Sequence, residues 1–135
     1  MRNRDRCEPF VTRDGSLIRE ILAPGRNPGA IRRQSLAEAT LPPGRATEPH
    51  FHPVSEEIYY ILQGEGEMRI GTERLDVGPS DAIAIPPGAV HTIQNIGTVD
   101  LVFLCCCAPA YTHLDTILSE IPEPTPEGSE ARSDP

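Results

Sequence analysis

The sequence contains no lysine: all 12 of its basic residues are arginine. This excludes every mechanism that depends on a lysine Schiff base or a lysine general base. The longest apolar runs fall well short of 18 residues, so we predict no transmembrane helix and no membrane partner. The N-terminal stretch MRNRDRCEPF is basic but is followed by no hydrophobic segment, which argues against a secretory signal and favours a cytoplasmic protein.

Positive charge is also scarce overall. The chain has 20 acidic residues, and its formal net charge is −8. Nucleic-acid binding normally needs a basic face, so we expect no nucleic-acid partner. A length of 135 residues suits one domain with one core.

The four cysteines do not form a disulfide framework. They are Cys7 and the consecutive residues Cys105, Cys106 and Cys107. On a strand, neighbouring side chains point to opposite faces, and residues two apart have Cα atoms about 6.5 Å from each other, near the limit for a bridge. We therefore predict reduced thiols packed in a core, with a redox-sensitive cysteine near a functional site as the alternative.

Proline and glycine interrupt the chain at short intervals, with 15 and 11 residues respectively. The short apolar runs between them, such as AIAI and LVFLCCC, favour an all-β sandwich or barrel. The stretch EGEMRIGTERLDV predicts a hairpin that turns at Gly71-Thr72. We expect a flexible leader over residues 1–8, one β-barrel domain over 9–121 and a disordered acidic tail over 122–135. The segment 115–121, DTILSEI, predicts a short C-terminal helix that begins at Asp115 and ends before Pro122.

Two of the four histidines lie close together in HFHPVSEEIYYILQG, residues 50–64. If this stretch is a strand, His50 and His52 point the same way and their imidazoles can meet at one point. Glu57 lies on the next predicted strand, and His91 follows a proline–glycine turn. Three imidazoles and a carboxylate suit a transition metal better than calcium or magnesium, although a histidine pair on a strand is often structural.

These residues fall into two spaced motifs that resemble those of the cupin superfamily. The first motif is Gly44-x5-His50-x-His52-x4-Glu57-x6-Gly64. The second is Pro86-x-Gly88-x2-His91-x3-Asn95, and together they cover roughly residues 40–108. The spacing favours Glu57 over Glu56 as the carboxylate ligand. One departure is Ser80, which precedes Asp81 where the family usually has glycine; either that turn is altered or Gly78-Pro79 takes over its role.

The resemblance implies an all-β cupin barrel, a double-stranded β-helix of jelly-roll type. It implies one divalent metal, namely iron, manganese, nickel, zinc, cobalt or copper, held by His50, His52, Glu57 and His91. It also implies a homodimer, because family members are commonly dimers. It implies no single reaction, because cupins include dioxygenases, isomerases, decarboxylases, lyases and storage proteins.

Two further residues are candidates for catalysis. Tyr59 shares strand parity with Glu57 and could offer its phenol to a substrate oxygen; the alternative is an aromatic that fills the barrel. His113 follows the last long strand and could fold over the barrel mouth as an acid–base group; the alternative is a structural or surface histidine.

The main functional hypothesis is a mononuclear metal enzyme of dioxygenase or oxidoreductase type that acts on a small organic molecule. The alternatives are a metal-assisted isomerase or lyase, and a small-molecule-binding cupin without turnover. Only Arg45 lies close to the ligand strand, which disfavours a phosphate-bearing substrate. A metal-free structural cupin is disfavoured because all four ligand positions are intact.

Overall fold

A computed structural model describes residues 1–25 and 30–122 of the chain. Its regular elements are almost entirely strands, so the all-β prediction is confirmed. In chain order these are β1 Phe10–Val11, β2 Leu17–Leu22, β3 Ser35–Leu41, β4 His50–Phe51, β5 Glu56–Gln63, β6 Gly66–Ile70, β7 Glu73–Val77, β8 Ala82–Ile85, β9 His91–Asn95, β10 Leu101–Ala108 and β11 Ile117–Leu118. Two 3-10 turns, Arg4–Arg6 and His113–Asp115, complete the described elements.

The strands form two antiparallel sheets that enclose the core. One sheet has the order β1-β2-β3-β10-β5-β8, and the other has the order β11-β4-β9-β6-β7. Strand β5 alternates between buried and exposed residues as the period of two requires. Its inward face presents Glu57, Tyr59 and Ile61, as strand parity predicts, and its outward face presents Ile58, Tyr60 and Leu62.

The interior is apolar at one end of the strands and polar at the other. Ile61 on β5 pairs with Phe103 on β10 and is fully buried in the hydrophobic core. Four residues earlier, Glu57 pairs with Cys107. The apolar end supplies most of the burial energy, about 1.5–3 kcal/mol for each large side chain. The opposite end of the strands, near Glu57 and Cys107, holds the polar site.

Two tight turns test predictions made from the sequence. The predicted hairpin is confirmed, since Ile70 pairs with Glu73 across Gly71-Thr72. Ser80 has φ +75° and is the non-glycine residue with positive φ among those described. The serine itself thus adopts the left-handed conformation that glycine adopts without strain, and Gly78-Pro79 does not replace it.

The predicted C-terminal helix is wrong. The segment instead contains the end of the 3-10 turn at Asp115 and the strand β11, which pairs with β4. The Asp115 carboxylate accepts hydrogen bonds from the backbone N–H groups of Val54 and Ser55, at 3.1 and 2.9 Å. The chain is thereby drawn along the open edge of β4, where strand pairing competes successfully with a local helix.

The two ends of the chain differ in what the structure describes. At the N-terminus, Arg4 makes an ion pair with Glu38 at 2.7 Å, and Cys7 is buried. The predicted flexibility of residues 1–8 stays a prediction. The predicted tail, apart from Pro122, lies outside the described residues. Within the described ranges, no helix has the length and apolar character needed to cross a membrane.

Candidate metal centre

The histidine pair comes from β4 and the residue that follows it. His50 and His52 are both buried, at 1% and 4% exposure, and they point into the barrel on the same side. His50 pairs directly with His91 on the neighbouring strand β9, and the centroids of their rings are 4.2 Å apart. Sheet pairing thus brings the third histidine beside the first two.

Glu57 reaches the same point from the opposite sheet. Its Oε1 lies 3.2 Å from His52 Nε2 and 3.6 Å from His91 Nε2. One ligand atom from each of His50, His52, Glu57 and His91 lies within 4.8 Å of all the others. Two atoms bound at about 2.0–2.2 Å to one ion lie at most about 4.4 Å apart, so shifts of a few tenths of an ångström bring all four onto one ion. The described structure therefore brings together all four predicted ligands.

Backbone carbonyls orient all three imidazoles. The Nδ1 atoms of His50, His52 and His91 contact the carbonyl oxygens of Glu48, Asp115 and Ala89, at 2.7, 3.0 and 2.9 Å. A carbonyl can only accept, so each Nδ1 must donate, and each neutral ring keeps its lone pair on Nε2. Metal-binding histidines are typically held in this way.

Among the residues that the structure describes, two buried atoms at the centre of the group lack a hydrogen-bond partner. They are Glu57 Oε1 and His91 Nε2. Leaving such atoms buried and unsatisfied costs about 1–3 kcal/mol each, and more for a charged group. A metal ion would satisfy both at once, so the residues present fit such an ion.

The ionisation states also suit metal binding. Burial lowers the pKa of His50 to about 4, and repulsion from His91 adds to this effect, so the imidazole is neutral at physiological pH. Burial alone would raise the pKa of Glu57, but the nearby His52 and His91 outweigh it and lower the pKa to about 2. For His52, burial lowers the pKa, but the neighbouring Glu57 carboxylate produces a net rise. The group thus offers an ionised carboxylate and at least one neutral imidazole ready to bind.

The ligands line a small cavity inside the barrel. It leaves about 40 Å³ for the centres of water-sized molecules, where a single water needs about 10–15 Å³. The wall opposite the histidines is formed by β1, β2, β3 and β10, and includes Ile18, Ala39 and Phe103. A substrate in this space has few non-hydrogen atoms.

The two residues predicted as catalytic candidates differ in position: one lines the cavity and the other does not. Tyr59 lines the cavity and packs its ring against His91 and Phe103, with centroids 5.9 and 4.6 Å away. Burial raises its pKa well above the ordinary value, so the phenol stays protonated. His113 is exposed in the 3-10 turn, contacts the Tyr111 hydroxyl at 3.3 Å and does not line this cavity. A catalytic role for either residue stays a prediction.

Two further polar residues lie beside the ligands: a cysteine, whose place near the site the sequence had left as an alternative, and an aspartate, which sequence reasoning missed. Cys107 donates a hydrogen bond from Sγ to Glu57 Oε2 at 3.1 Å. Asp14, in the turn between β1 and β2, lines the cavity and places Oδ2 3.4 Å from His50 Nε2. The turn composition of TRDGS was a signal for a loop, but the sequence held no signal that this loop enters the barrel.

Comparison with known proteins agrees with this architecture. A family model described as a cupin domain matches residues 37–107. An uncharacterized protein of Methanocaldococcus jannaschii is 49% identical over 116 residues, which are 86% of this chain and 91% of that protein. An oxalate-binding protein of Thermotoga maritima is 38% identical over 68 residues, which are 50% of this chain and 56% of that protein. The crystal structure of a predicted oxalate decarboxylase from Thermotoga maritima superposes with a TM-score of 0.71 at 24% identity, over 81% of this chain and 98% of that chain, and shows the same fold.

Proposed function

The chain belongs to the cupin domain family, and we propose that it is a mononuclear transition-metal protein that acts on a small organic molecule. The observation that carries this proposal is the state of the three imidazoles. Each has Nδ1 hydrogen-bonded to a carbonyl. The Nε2 atoms of His52 and His91 both face Glu57 Oε1, which has no hydrogen-bond partner among the described residues. A purely structural histidine cluster has no need to leave these buried atoms unpaired.

We favour oxygen-dependent chemistry, with iron as the first candidate and manganese, nickel, zinc, cobalt or copper as others. Such an ion would supply either redox chemistry or Lewis acidity at positions that the four protein ligands leave open. The protein residues orient the ligands and exclude bulk water. The small volume of the cavity limits the substrate to a few atoms, and apolar side chains such as Ile18 and Phe103 in its wall shield reactive species from solvent.

A metal-assisted isomerase or lyase is the second candidate. The same ligand set serves it equally well, because a Lewis acid needs only an open coordination position. A phosphorylated substrate is disfavoured for this chain: no arginine lines the cavity in the described residues, and the sequence has no lysine. A binding protein without turnover is the third candidate, supported by the relative named for oxalate binding.

We propose that the protein is a homodimer. The outward face of β5 exposes Ile58, Tyr60 and Leu62, at 46%, 40% and 44%. Leu104 and Cys106 on β10 pair with Tyr60 and Ile58 and extend the same face. An exposed apolar surface in the middle of a sheet is typical of an interface, and a second copy offers the same surface by symmetry.

We also propose a cytoplasmic location. All four cysteines are free thiols in the described structure. The cytoplasm keeps thiols reduced, whereas secreted proteins usually pair them.

Oxygen uptake tests the choice between these activities. The protein is loaded anaerobically with Fe²⁺ and is then mixed with oxygen and small diols, thiols or diketones. Oxygen consumption that depends on one substrate class and is lost in His52→Ala supports the oxygenase. Conversion of a substrate without oxygen uptake supports the isomerase or lyase, and stoichiometric binding without conversion supports the binding protein.

A further inference from the structure

The turn between β1 and β2 holds an acidic side chain in a fixed orientation. Asp14 Oδ1 accepts three hydrogen bonds, from Thr12 Oγ1 at 2.6 Å, Ser16 Oγ at 2.7 Å and Ser16 N at 3.0 Å. Thr12, Asp14 and Ser16 are all buried. One carboxylate oxygen is therefore fully occupied, and the other oxygen has its direction fixed.

That second oxygen faces the candidate metal centre. Asp14 Oδ2 lies 3.4 Å from His50 Nε2. The turn is also tied to the segment that orients this histidine, because Glu48 N donates to the Asp14 carbonyl at 2.6 Å while Glu48 O accepts from His50 Nδ1. Asp14 is thus positioned by the same backbone that positions His50.

Asp14 is not one of the four atoms that gather around a common point. When His50 Nε2 binds a metal, its lone pair is used and its single proton stays on Nδ1, so it has nothing to donate to Asp14. No described residue then donates a hydrogen bond to Oδ2, which lies at the edge of the cavity. An acceptor in this position takes its hydrogen bond from a ligand or from water.

The charges around the cavity also disfavour an anionic ligand. Its described lining contains three acidic residues, Asp14, Glu20 and Glu57, and no arginine. A ligand that reaches Asp14 Oδ2 therefore meets a carboxylate with no cationic side chain beside it in the described lining. A carboxylate-bearing ligand would bring a second negative charge next to Asp14, at close range and in a low dielectric.

We propose that Asp14 selects the ligand of the metal centre, and that this ligand is a small uncharged molecule with a hydroxyl or N–H group that donates to Asp14 Oδ2. This inference rests on the proposed metal centre and makes it more specific. It separates the chain from a protein that binds a dicarboxylate such as oxalate, since Asp14 disfavours such an anion.

The test uses the protein loaded with Co²⁺, whose visible spectrum reports changes in coordination. The probes are glycolamide and glycolate, which share one skeleton and differ in charge, together with oxalate. The variants are Asp14→Asn, which keeps the shape and removes the charge, and Glu56→Gln, which makes a similar charge change at an exposed position on β5. Cobalt content is measured for each.

We expect wild type to bind glycolamide more tightly than glycolate or oxalate. Asp14→Asn is expected to keep its cobalt, to bind glycolate on the order of tenfold more tightly and to bind glycolamide less tightly, while Glu56→Gln behaves as wild type. The inference is overturned if wild type prefers the anions, if Asp14→Asn leaves the preference unchanged, or if no probe alters the spectrum. Absence of stoichiometric cobalt in wild type would instead refute the proposed metal centre itself.

Discussion

Cys107 donates a hydrogen bond from Sγ to Glu57 Oε2 at 3.1 Å, while the other oxygen of the same carboxylate faces the histidines. The two residues are directly paired across β10 and β5, so the backbone holds this contact in register. Burial raises the pKa of the Cys107 thiol, and the Glu57 carboxylate raises it further, so the sulfur keeps its proton and remains a donor. Cys107 therefore holds the carboxylate so that its free oxygen faces the metal centre.

Loss of this donor should weaken metal binding. We expect Cys107→Ala to reduce the affinity for Zn²⁺ or Co²⁺ by about tenfold, as is usual when a residue that orients a ligand is removed. Cys107→Ser keeps a donor and should lose less. Competition with a chromogenic chelator measures the affinity. Cys105→Ala is the control, because Cys105 lines the same cavity but is not the thiol that donates to Glu57. Equal affinity in Cys107→Ala and wild type would refute the orienting role.

The proposed dimer can be tested on the outward face of β5. Leu62→Asp places a charge in an apolar surface that would be buried between two copies, so the dimer should dissociate to monomers. Light scattering coupled to size-exclusion chromatography gives the mass. Val99→Asp makes the same change at another exposed position and should leave the mass unaltered. A wild-type mass equal to that of one chain, 14.7 kDa, would contradict the dimer.

Gly64 cannot be replaced without strain. Its φ is +88°, and an added Cβ would lie 2.8 Å from the Asp100 carbonyl oxygen and 2.9 Å from Leu101 Cα. Gly44 has a similar φ of +80°, but an added Cβ there meets no atom. We expect Gly44→Ala to lower the free energy of unfolding by about 1 kcal/mol, and Gly64→Ala by roughly 1–3 kcal/mol more. Urea unfolding measures the free energy of unfolding of both variants, and equal losses of stability would contradict the steric argument.

Ser80 offers a stabilising substitution. Its φ of +75° costs a residue with a Cβ about 1–2 kcal/mol. Glycine avoids this cost, but its greater conformational freedom in the unfolded chain cancels part of the gain in stability. Ser80→Gly should therefore raise the free energy of unfolding by about 0.5–1 kcal/mol. Ser80→Ala, which keeps the Cβ, should not stabilise the protein. A loss of stability in Ser80→Gly would show that the turn imposes no strain on serine.

Strand parity made the ligands predictable from the sequence. His50 and His52 share a face because they are two residues apart, and the same period of two correctly distinguished inward Tyr59 from outward Tyr60. The partners of these residues were not predictable in the same way. Cys107 and Glu57 are 50 positions apart in the sequence. Their contact depends on the register between β5 and β10, which no local pattern encodes.

The prediction of a C-terminal helix was wrong for a related reason. Asp115 and Pro122 are ordinary helix boundaries when the segment is considered alone. In the folded chain, Ile117 and Leu118 pair with Phe51 and His50, and the Asp115 carbonyl orients His52. A tertiary contact thus replaced a local preference. Asp14 was missed similarly, because a turn sequence does not indicate which surface the turn covers.

The central claim is that His50, His52, Glu57 and His91 hold one transition-metal ion, and metal content tests it most directly. The protein is purified without chelators and without an affinity tag that binds metals, and inductively coupled plasma mass spectrometry gives the metal per chain. We expect about one transition-metal ion per chain in wild type and a large loss in His91→Ala, with Glu56→Gln retaining the full content as the control. Wild-type protein that is folded yet contains no stoichiometric transition metal, and takes up none on addition of Fe²⁺, Mn²⁺, Co²⁺, Ni²⁺, Cu²⁺ or Zn²⁺, would contradict the claim.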